Sequence, residues 1–208
     1  MPFGPILPRS FYARSTVEVA RALLGKVLVH GPTAGIIVET EAYLGGDDLA
    51  AHSARGLTGR TRVIFGPPGH AYVYLIYGMY QCLNLVAEVN GRPGCVLIRA
   101  LQPVSGVELM RARRGAARTL EQLANGPGKL TLALGITRAH NGTDVTSGAL
   151  VVRQAPGAAE FEIAVTPRIG ITRSAELPLR FLIANNGFVS ARPRFAPLPA
   201  KSHEKSTP

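Results

Sequence analysis

Two carboxylates at the end of an apolar strand are the first feature that could do chemistry. Residues 38–43 read VETEAY and follow a run of apolar residues. If the segment is extended, its residues alternate between two faces: Glu39, Glu41 and Tyr43 on one, Val38, Thr40 and Ala42 on the other. A carboxylate placed in this way either reaches solvent at the rim of the sheet or is held by hydrogen bonds as a catalytic base.

Aromatic residues form a second candidate group. Four of the six tyrosines lie within nine residues, at positions 72, 74, 77 and 80. Such a run is more often the core of a sheet with phenols at its edge. Beside a basic groove, however, an aromatic face can stack on a base, and Tyr77 next to Gly78 could wedge into DNA at a turn. His52 could return over the same pocket as Glu41, and Asn84 could read a base edge through its amide.

The charge of the chain favours a nucleic acid as partner. Lys and Arg total 23 against 13 Asp and Glu, so the net charge is +10 and the isoelectric point is about 10.3. Residues 50–138 alone carry eleven basic and three acidic side chains, mostly arginine among the basic ones. Arginine suits phosphate because its planar fork donates two hydrogen bonds at once. A solubilising surface or a genomic bias towards arginine codons remains the other interpretation.

Several site classes are excluded or weakened by spacing. Residues 126–129 read GPGK, but Leu123 and Leu130 stand where a nucleotide-binding loop needs Gly and Ser or Thr. Lys129 at a helix start could still contact a backbone phosphate, as could Arg60 and Arg62 in the preceding basic segment. The five histidines lack the spacing of metal ligands, so we expect no metal and no other cofactor. Cys82 and Cys95 are expected to be reduced and buried.

Length and composition predict one globular domain. We expect it to span residues 1–195, followed by a disordered tail over residues 196–208, since prolines and mixed charge begin at Arg192. No stretch resembles a signal peptide or a membrane span. We therefore expect a cytoplasmic monomer, associated with the nucleoid if the source is a prokaryote.

The chain pattern predicts an α+β fold with an antiparallel sheet. A capping box at Ser15 should open a helix that ends before Gly25, and residues 26–30 and 35–43 should pair as strands. Residues 44–70 form a long connection, where we expect a binding loop. Further strands are predicted within 71–89, at 95–100 after an Asn-Gly turn at 90–91, and between 149 and 195.

Two further helices are predicted from their boundary residues. A second capping box at Ser105 should open a helix over residues 109–114 that ends near Gly115. Its exposed face would carry Arg111, Arg114 and Arg118. The segment beginning at Gly126 should open the other helix, over 130–134, which Gly135 closes.

Several of these segments together resemble the alkyladenine (3-methyladenine) DNA glycosylase family. The resemblance runs in order from about Leu7 to Val189 and rests on five motifs: ETEAYLG at 39–45, AAHS at 50–53, YVYLIYGMYQCLN at 72–84, VLIRALQP at 96–103 and NGPGK at 125–129. It implies a single mixed domain, with a curved, mainly antiparallel sheet surrounded by helices and a protruding β-hairpin that enters the minor groove.

The resemblance also implies roles for individual residues. Glu41 would be the general base that activates water, and Arg99 would lie beside it. Tyr43, His52 and Tyr74 would hold a base that has been flipped out of the duplex. Tyr77 would fill the gap left in the DNA, and Asn84 would crowd the exocyclic amino group of normal guanine. The expected activity is that of a monofunctional glycosylase of base excision repair, which releases alkylated or deaminated purines from double-stranded DNA without nicking the strand.

Two other classes of protein remain compatible with the same residues. A non-catalytic, basic nucleic-acid-binding module would use the same charged surface and aromatic strand, and so would a basic protein associated with translation. Only release of a base separates the enzyme from the binding module.

Overall fold

The computed structural model describes residues 3–89, 91–115, 117, 119–157 and 160–190. Its helices are α1 (Arg9–Tyr12), α2 (Thr16–Leu23), α3 (Val107–Arg114) and α4 (Pro127–Leu134). Its strands are β1 (Val27–His30), β2 (Thr33–Tyr43), β3 (Ala71–Ile76), β4 (Tyr80–Val86), β5 (Cys95–Ser105), β6 (Leu150–Arg153), β7 (Ile163–Thr166) and β8 (Arg180–Ile183). Short 3₁₀ turns lie at His52–Arg55, Glu121–Leu123 and Arg138–His140.

All strand pairs in the sheet are antiparallel. The order is β3-β4-β5-β2-β1-β6, and β8 pairs with the second half of β2 while carrying β7 on its other edge. The sheet curls, and the helices pack around it. The predicted α+β class is therefore confirmed, as is the protruding hairpin, which β3 and β4 form.

Helix α2 confirms the capping box predicted at Ser15. Ser15 accepts a hydrogen bond from the backbone N–H of Glu18, and the Glu18 carboxylate accepts from the Ser15 N–H, which completes the predicted capping box. Val19, Ala20 and Leu23 are fully buried on one face of the helix. This face packs on β2 and so fixes the strand that carries the two carboxylates. Helix α1, only four residues long, was not predicted.

Strand β2 is irregular where the carboxylates lie. Its pairing with β5 shifts register between Ile37 and Glu39 and again between Glu39 and Thr40. Val38 consequently packs with Ala100 in a small separate cluster, whereas Ile37 joins the main core. The prediction that Val38 shares a face with Thr40 and Ala42 was wrong, because a bulge adds a residue and breaks the period of two.

The second capping box was also wrong. Ser105 is the last residue of β5 and donates its hydroxyl hydrogen bond to the Pro32 carbonyl, while Gly106 precedes the helix without a side-chain cap. Arg111 and Arg114 do not form a simple solvated face. Arg111 lies 3.7 Å from the Glu108 carboxylate, and Arg114 donates to the Leu123 carbonyl.

Several expectations fall outside the described residues. These are the Arg118 position, the turn residue Asn90, the domain boundary at 195 and the predicted tail over 196–208. In the described ranges, no helix is both long and apolar enough to cross a membrane. Cys82 and Cys95 are both buried and unpaired.

Candidate active site

Glu41 is fully buried, and three donors hold its carboxylate. The Tyr43 hydroxyl donates to Oε2 at 2.9 Å, and Nη1 of Arg99 lies 3.2 Å from the same oxygen. The backbone N–H of Ile169 donates to Oε1 at 2.8 Å. Of the two alternatives for this residue, the solvated rim is therefore wrong. The three donors orient the carboxyl group inside the protein, as a catalytic base requires.

Glu39 is also fully buried, but its carboxylate has different hydrogen-bond partners. Its Oε1 accepts from Nε of Arg99 at 3.2 Å, from Nε of Arg180 at 2.6 Å and from the Ser190 hydroxyl at 2.9 Å, and its Oε2 accepts from the Ser190 N–H. Two arginines thus neutralise this carboxylate, which suits a structural ion pair, although its Oε2 accepts only the Ser190 N–H among the described residues. Oε1 of Glu41 likewise has one donor among the described residues, so that oxygen retains a lone pair for a water molecule.

Arg99 bridges the two carboxylates. Burial opposes its charge, but Glu41 and then Glu39 outweigh this effect and raise the pKa of the guanidinium above its ordinary value. Tyr43 is kept protonated in the same way, since burial first and the Glu41 charge second raise the pKa of its phenol. Tyr43 is therefore a hydrogen-bond donor to Glu41 at every physiological pH.

A second buried ion pair positions the loop that reaches Glu41. Arg168 forms a bidentate contact with Asp48, with N–O distances of 2.6 and 2.7 Å, and both side chains are buried. Arg168 also donates to the Ala42 carbonyl, and its guanidinium carbon lies 4.7 Å from the Tyr43 ring centroid. The adjacent residue, Ile169, supplies the N–H to Glu41. Sequence reasoning missed this clamp because Arg168 and Asp48 are 120 residues apart.

The rings of His52, Tyr72 and Tyr74 contact one another and form an aromatic group. The rings of Tyr72 and Tyr74 stack, with centroids 5.5 Å apart, since alternate residues of β3 share a face. The His52 ring meets the Tyr74 ring edge-on at 4.6 Å and donates or accepts a hydrogen bond with the Tyr72 hydroxyl at 3.0 Å. Tyr72 was in the predicted aromatic run but had been assigned no role.

His52 is neutral at physiological pH. Burial first, and then the charges of Arg60 and Arg55, lower the pKa of its imidazole to about 4. Nη2 of Arg60 lies 3.3 Å from Nε2 and can only donate, so Nε2 is the acceptor and Nδ1 carries the proton.

The aromatic group and the carboxylate meet at one small apolar cluster. Tyr43 and Tyr74 both pack against this cluster, whose buried members are Ile64, Tyr72, Val86 and Cys95. Asn84 lies beside it with its side chain buried, donating to the Tyr72 carbonyl at 3.3 Å and accepting from the Cys95 thiol at 3.8 Å. Six predicted residues are thereby brought into one region: Glu41, Tyr43, His52, Tyr74, Asn84 and Arg99.

The remaining predicted residues lie around this region. Tyr77 is at the tip of the hairpin and is 77% exposed. Lys129 is exposed in the first turn of α4, where its amine donates to Asn125 at 2.7 Å. Arg62 is exposed. Arg60, also predicted as a phosphate contact, lies over the Tyr74 ring, with its guanidinium carbon 5.3 Å from the centroid. Over the described ranges, no group of three or more His, Cys, Asp or Glu side chains could hold a metal ion.

Comparisons with known proteins place these residues in a family. The family model described as methylpurine-DNA glycosylase matches residues 10–187. A protein of Methanocella arvoryzae is 54% identical over 196 residues, which cover 90% of this chain and 97% of the relative. Proteins of Methanoculleus marisnigri and Koribacter versatilis are 54% and 50% identical, over 89% of this chain and 99% and 93% of their own lengths. All three are named "Putative 3-methyladenine DNA glycosylase". With most of the chain matched, the resemblance seen in the sequence is confirmed, and this protein belongs to the methylpurine-DNA glycosylase family.

Proposed function

We propose that this protein is a monofunctional DNA glycosylase that hydrolyses the N-glycosidic bond of 3-methyladenine-type purines in duplex DNA. The observation that carries the proposal is the Glu41 carboxylate, which is fully buried, held by three donors and adjacent to an aromatic group. Family membership and the names of the relatives support the same activity.

The reaction requires one base and one water molecule. Oε1 of Glu41 orients the water and accepts its proton, and the water oxygen forms a bond to C1′ of the deoxyribose as the bond from C1′ to the purine nitrogen breaks. The bonding electrons leave with the base. An alkylated purine such as 3-methyladenine carries positive charge, so it departs as a neutral molecule. General-base catalysis of this kind contributes ~10²- to 10⁴-fold.

Charge stabilisation adds to proton transfer. The sugar develops positive charge in the transition state, and the carboxylate of Glu41 would stabilise that charge. Arg99 and the Ile169 N–H hold this carboxylate in position while the sugar approaches. In this mechanism no amine attacks the sugar, so the product is an abasic site in an intact strand.

Recognition of the damaged base depends on aromatic side chains. A flipped base would stack between Tyr43 on one side and His52 with Tyr74 on the other, and Asn84 would exclude the exocyclic amino group of normal guanine. Aromatic faces favour a cationic base. Flipping costs a few kcal/mol and is cheapest at weakly paired lesions, so selection begins before the chemical step.

The decisive variant is Glu41→Gln, which keeps the shape of the side chain but removes its basicity. We expect base release from globally methylated duplex DNA to fall by about 10² or more, while binding to lesion DNA persists. Abasic sites are detected by alkali cleavage, and binding is measured by mobility shift.

Asp47→Asn is the matched control, because Asp47 is an exposed carboxylate a few residues further along the chain. It should release bases at the parental rate. Undiminished release by the Glu41→Gln protein would contradict the assignment of the base. Binding by the parent protein without any release would favour the non-catalytic binding module.

A further inference from the structure

Arg60 lies across the aromatic group with one part of its side chain on the rings and the rest exposed to solvent. Its guanidinium carbon is 5.3 Å from the centroid of the Tyr74 ring. Its Nε donates to the Tyr72 hydroxyl and its Nη2 to Nε2 of His52, both at 3.3 Å. One side chain on the loop between β2 and β3 therefore contacts all three rings.

The charge of Arg60 has no carboxylate partner in the described part of the chain. Arg99 and Arg168, by contrast, are buried and each pairs with a carboxylate. Arg60 is exposed and is held by a π face and two neutral acceptors. Such interactions are individually weak, so a planar or cationic group entering the pocket can replace the guanidinium.

We propose that Arg60 covers the base pocket while it is empty and has to leave the Tyr74 face before a flipped base can stack there. The proposal rests on the proposed function, because it takes the aromatic group to be the base-binding surface. A base must then compensate for the lost contacts of the guanidinium. The displacement costs every base the same free energy, so it weakens the binding of all bases equally. Only a base with a strong interaction of its own with the aromatic group, such as a cationic alkylated purine, then occupies the pocket to a large extent.

Displacement of Arg60 also changes His52. In the covered pocket, Nε2 of His52 accepts from Arg60, and the ring proton is on Nδ1. Once the guanidinium leaves, Nε2 becomes available to accept a hydrogen bond from the base. The movement therefore exposes both a stacking surface and an acceptor.

The test is the binding of free bases to an Arg60→Met variant. Methionine keeps much of the side-chain length but removes the charge and both hydrogen bonds. Free 3-methyladenine and free adenine carry no phosphate, so a phosphate contact of Arg60 does not enter the comparison. Titration calorimetry should show both bases binding about two- to fivefold more tightly than to the parent protein. Arg62→Met, an exposed arginine two residues along the same loop, should bind both bases as the parent does.

A second readout reports the covering contact directly. The Arg60 charge contributes to the lowered pKa of His52, which is about 4. In Arg60→Met the pKa of the imidazole should rise towards its ordinary value, as followed by NMR titration, and in Arg62→Met it should not. An unchanged His52 pKa, or an unchanged or weaker affinity for both free bases, would overturn the proposal.

Failure of the covering role can be told apart from failure of the proposed function. The covering role is tested by binding and titration only, without turnover. The proposed function is tested by base release from methylated DNA by the parent protein. If the parent protein releases bases but Arg60→Met binds free bases no more tightly, the proposed function stands and the covering role of Arg60 is wrong.

Discussion

At the scale of single residues, the two glutamates of β2 show how environment separates equal side chains. Glu39 and Glu41 are both fully buried and both contact Arg99. In the described part of the chain Glu39 pairs with two arginines and bonds to Ser190, whereas Glu41 pairs with one arginine and accepts from Tyr43. The partners, and not the residue type, distinguish the candidate base from the structural ion pair.

A single residue, Asn84, can also be used to test how the pocket discriminates between bases. Its buried amide is held between the Tyr72 carbonyl and the Cys95 thiol, so it cannot withdraw from an incoming amino group. In an Asn84→Ser variant, we expect the release of 7-methylguanine relative to hypoxanthine to rise about tenfold. Taking the ratio of the two rates removes any difference in the active fraction of the preparations. A ratio equal to that of the parent would show that guanine is excluded by other residues.

At the scale of elements, the β3–β4 hairpin presents the side chain that we expect to enter DNA, Tyr77. Tyr77 and Gly78 both have positive φ, 53° and 70°, which gives the twist that a tight hairpin needs. The turn projects Tyr77 and Met79, which are 77% and 67% exposed. Next to this turn the hairpin packs on α4, where a Cβ at Gly128 would lie 2.9 Å from Cβ of Tyr80. Glycine is therefore required for this close approach.

Because Tyr77 is exposed at the tip of the hairpin, we predict that its removal slows base release from some substrates more than from others. We expect Tyr77→Ala to slow base release from stably paired duplex by about tenfold, because a bulky side chain offsets the cost of unstacking. Release from single-stranded substrate should change little. Tyr77→Phe retains the bulk and should behave as the parent protein. Equal losses on the two substrates would argue that Tyr77 acts on something other than unstacking.

At the scale of the whole molecule, buried ion pairs join distant parts of the chain at the site. Glu39 connects β2 to β8 and to Ser190 near the end of the described chain. Asp48 and Arg168 connect the loop after β2 to the segment after β7. Breaking a buried pair leaves an uncompensated charge, which costs about 3 kcal/mol or more. These pairs therefore hold the loops around Glu41 in one arrangement.

The Asp48 pair makes stability depend on acid pH. Burial opposes the charge of Asp48, but the Arg168 contact and the N–H groups of Leu44 and Ala50 outweigh it and lower the pKa of the carboxyl. A carboxyl whose pKa is lower in the folded state stabilises the protein above its unfolded value near 3.8. That contribution is lost as the pH falls through the folded value.

We therefore expect Asp48→Asn to lower the free energy of unfolding by about 3 kcal/mol at pH 7. The difference from the parent should shrink as the pH falls below about 4, because protonation of Asp48 then removes the same charge in the parent. Urea unfolding at several pH values measures this difference. Asp47→Asn, a neighbouring exposed carboxyl, should match the parent throughout, and a pH-independent difference for Asp48→Asn would contradict the assigned linkage.

Local signals predicted the elements well where the physical cause was local. The capping box at Ser15, the hairpin turn at Gly78 and the closing Gly135 each act within one turn of chain, and all three were confirmed. The Ser105 capping box failed because Ser105 continues β5 and its hydroxyl bonds to Pro32. A tertiary strand pairing there outweighs a local capping preference.

For the candidate site, too, some features follow from the sequence and others only from the tertiary structure. Sequence by itself determined the α+β class and the family, because strand alternation and motif spacing are properties of neighbouring residues. The roles of the six central side chains were predicted through the resemblance to that family. Only the tertiary structure decided that Glu41 is buried, that Arg168 and Asp48 clamp its loop, and that Arg60 lies on Tyr74. The contacts of Glu41 and Arg168 join segments more than 100 residues apart, and the contact of Arg60 depends on the path of a loop, so none of these partners has a fixed spacing in the sequence.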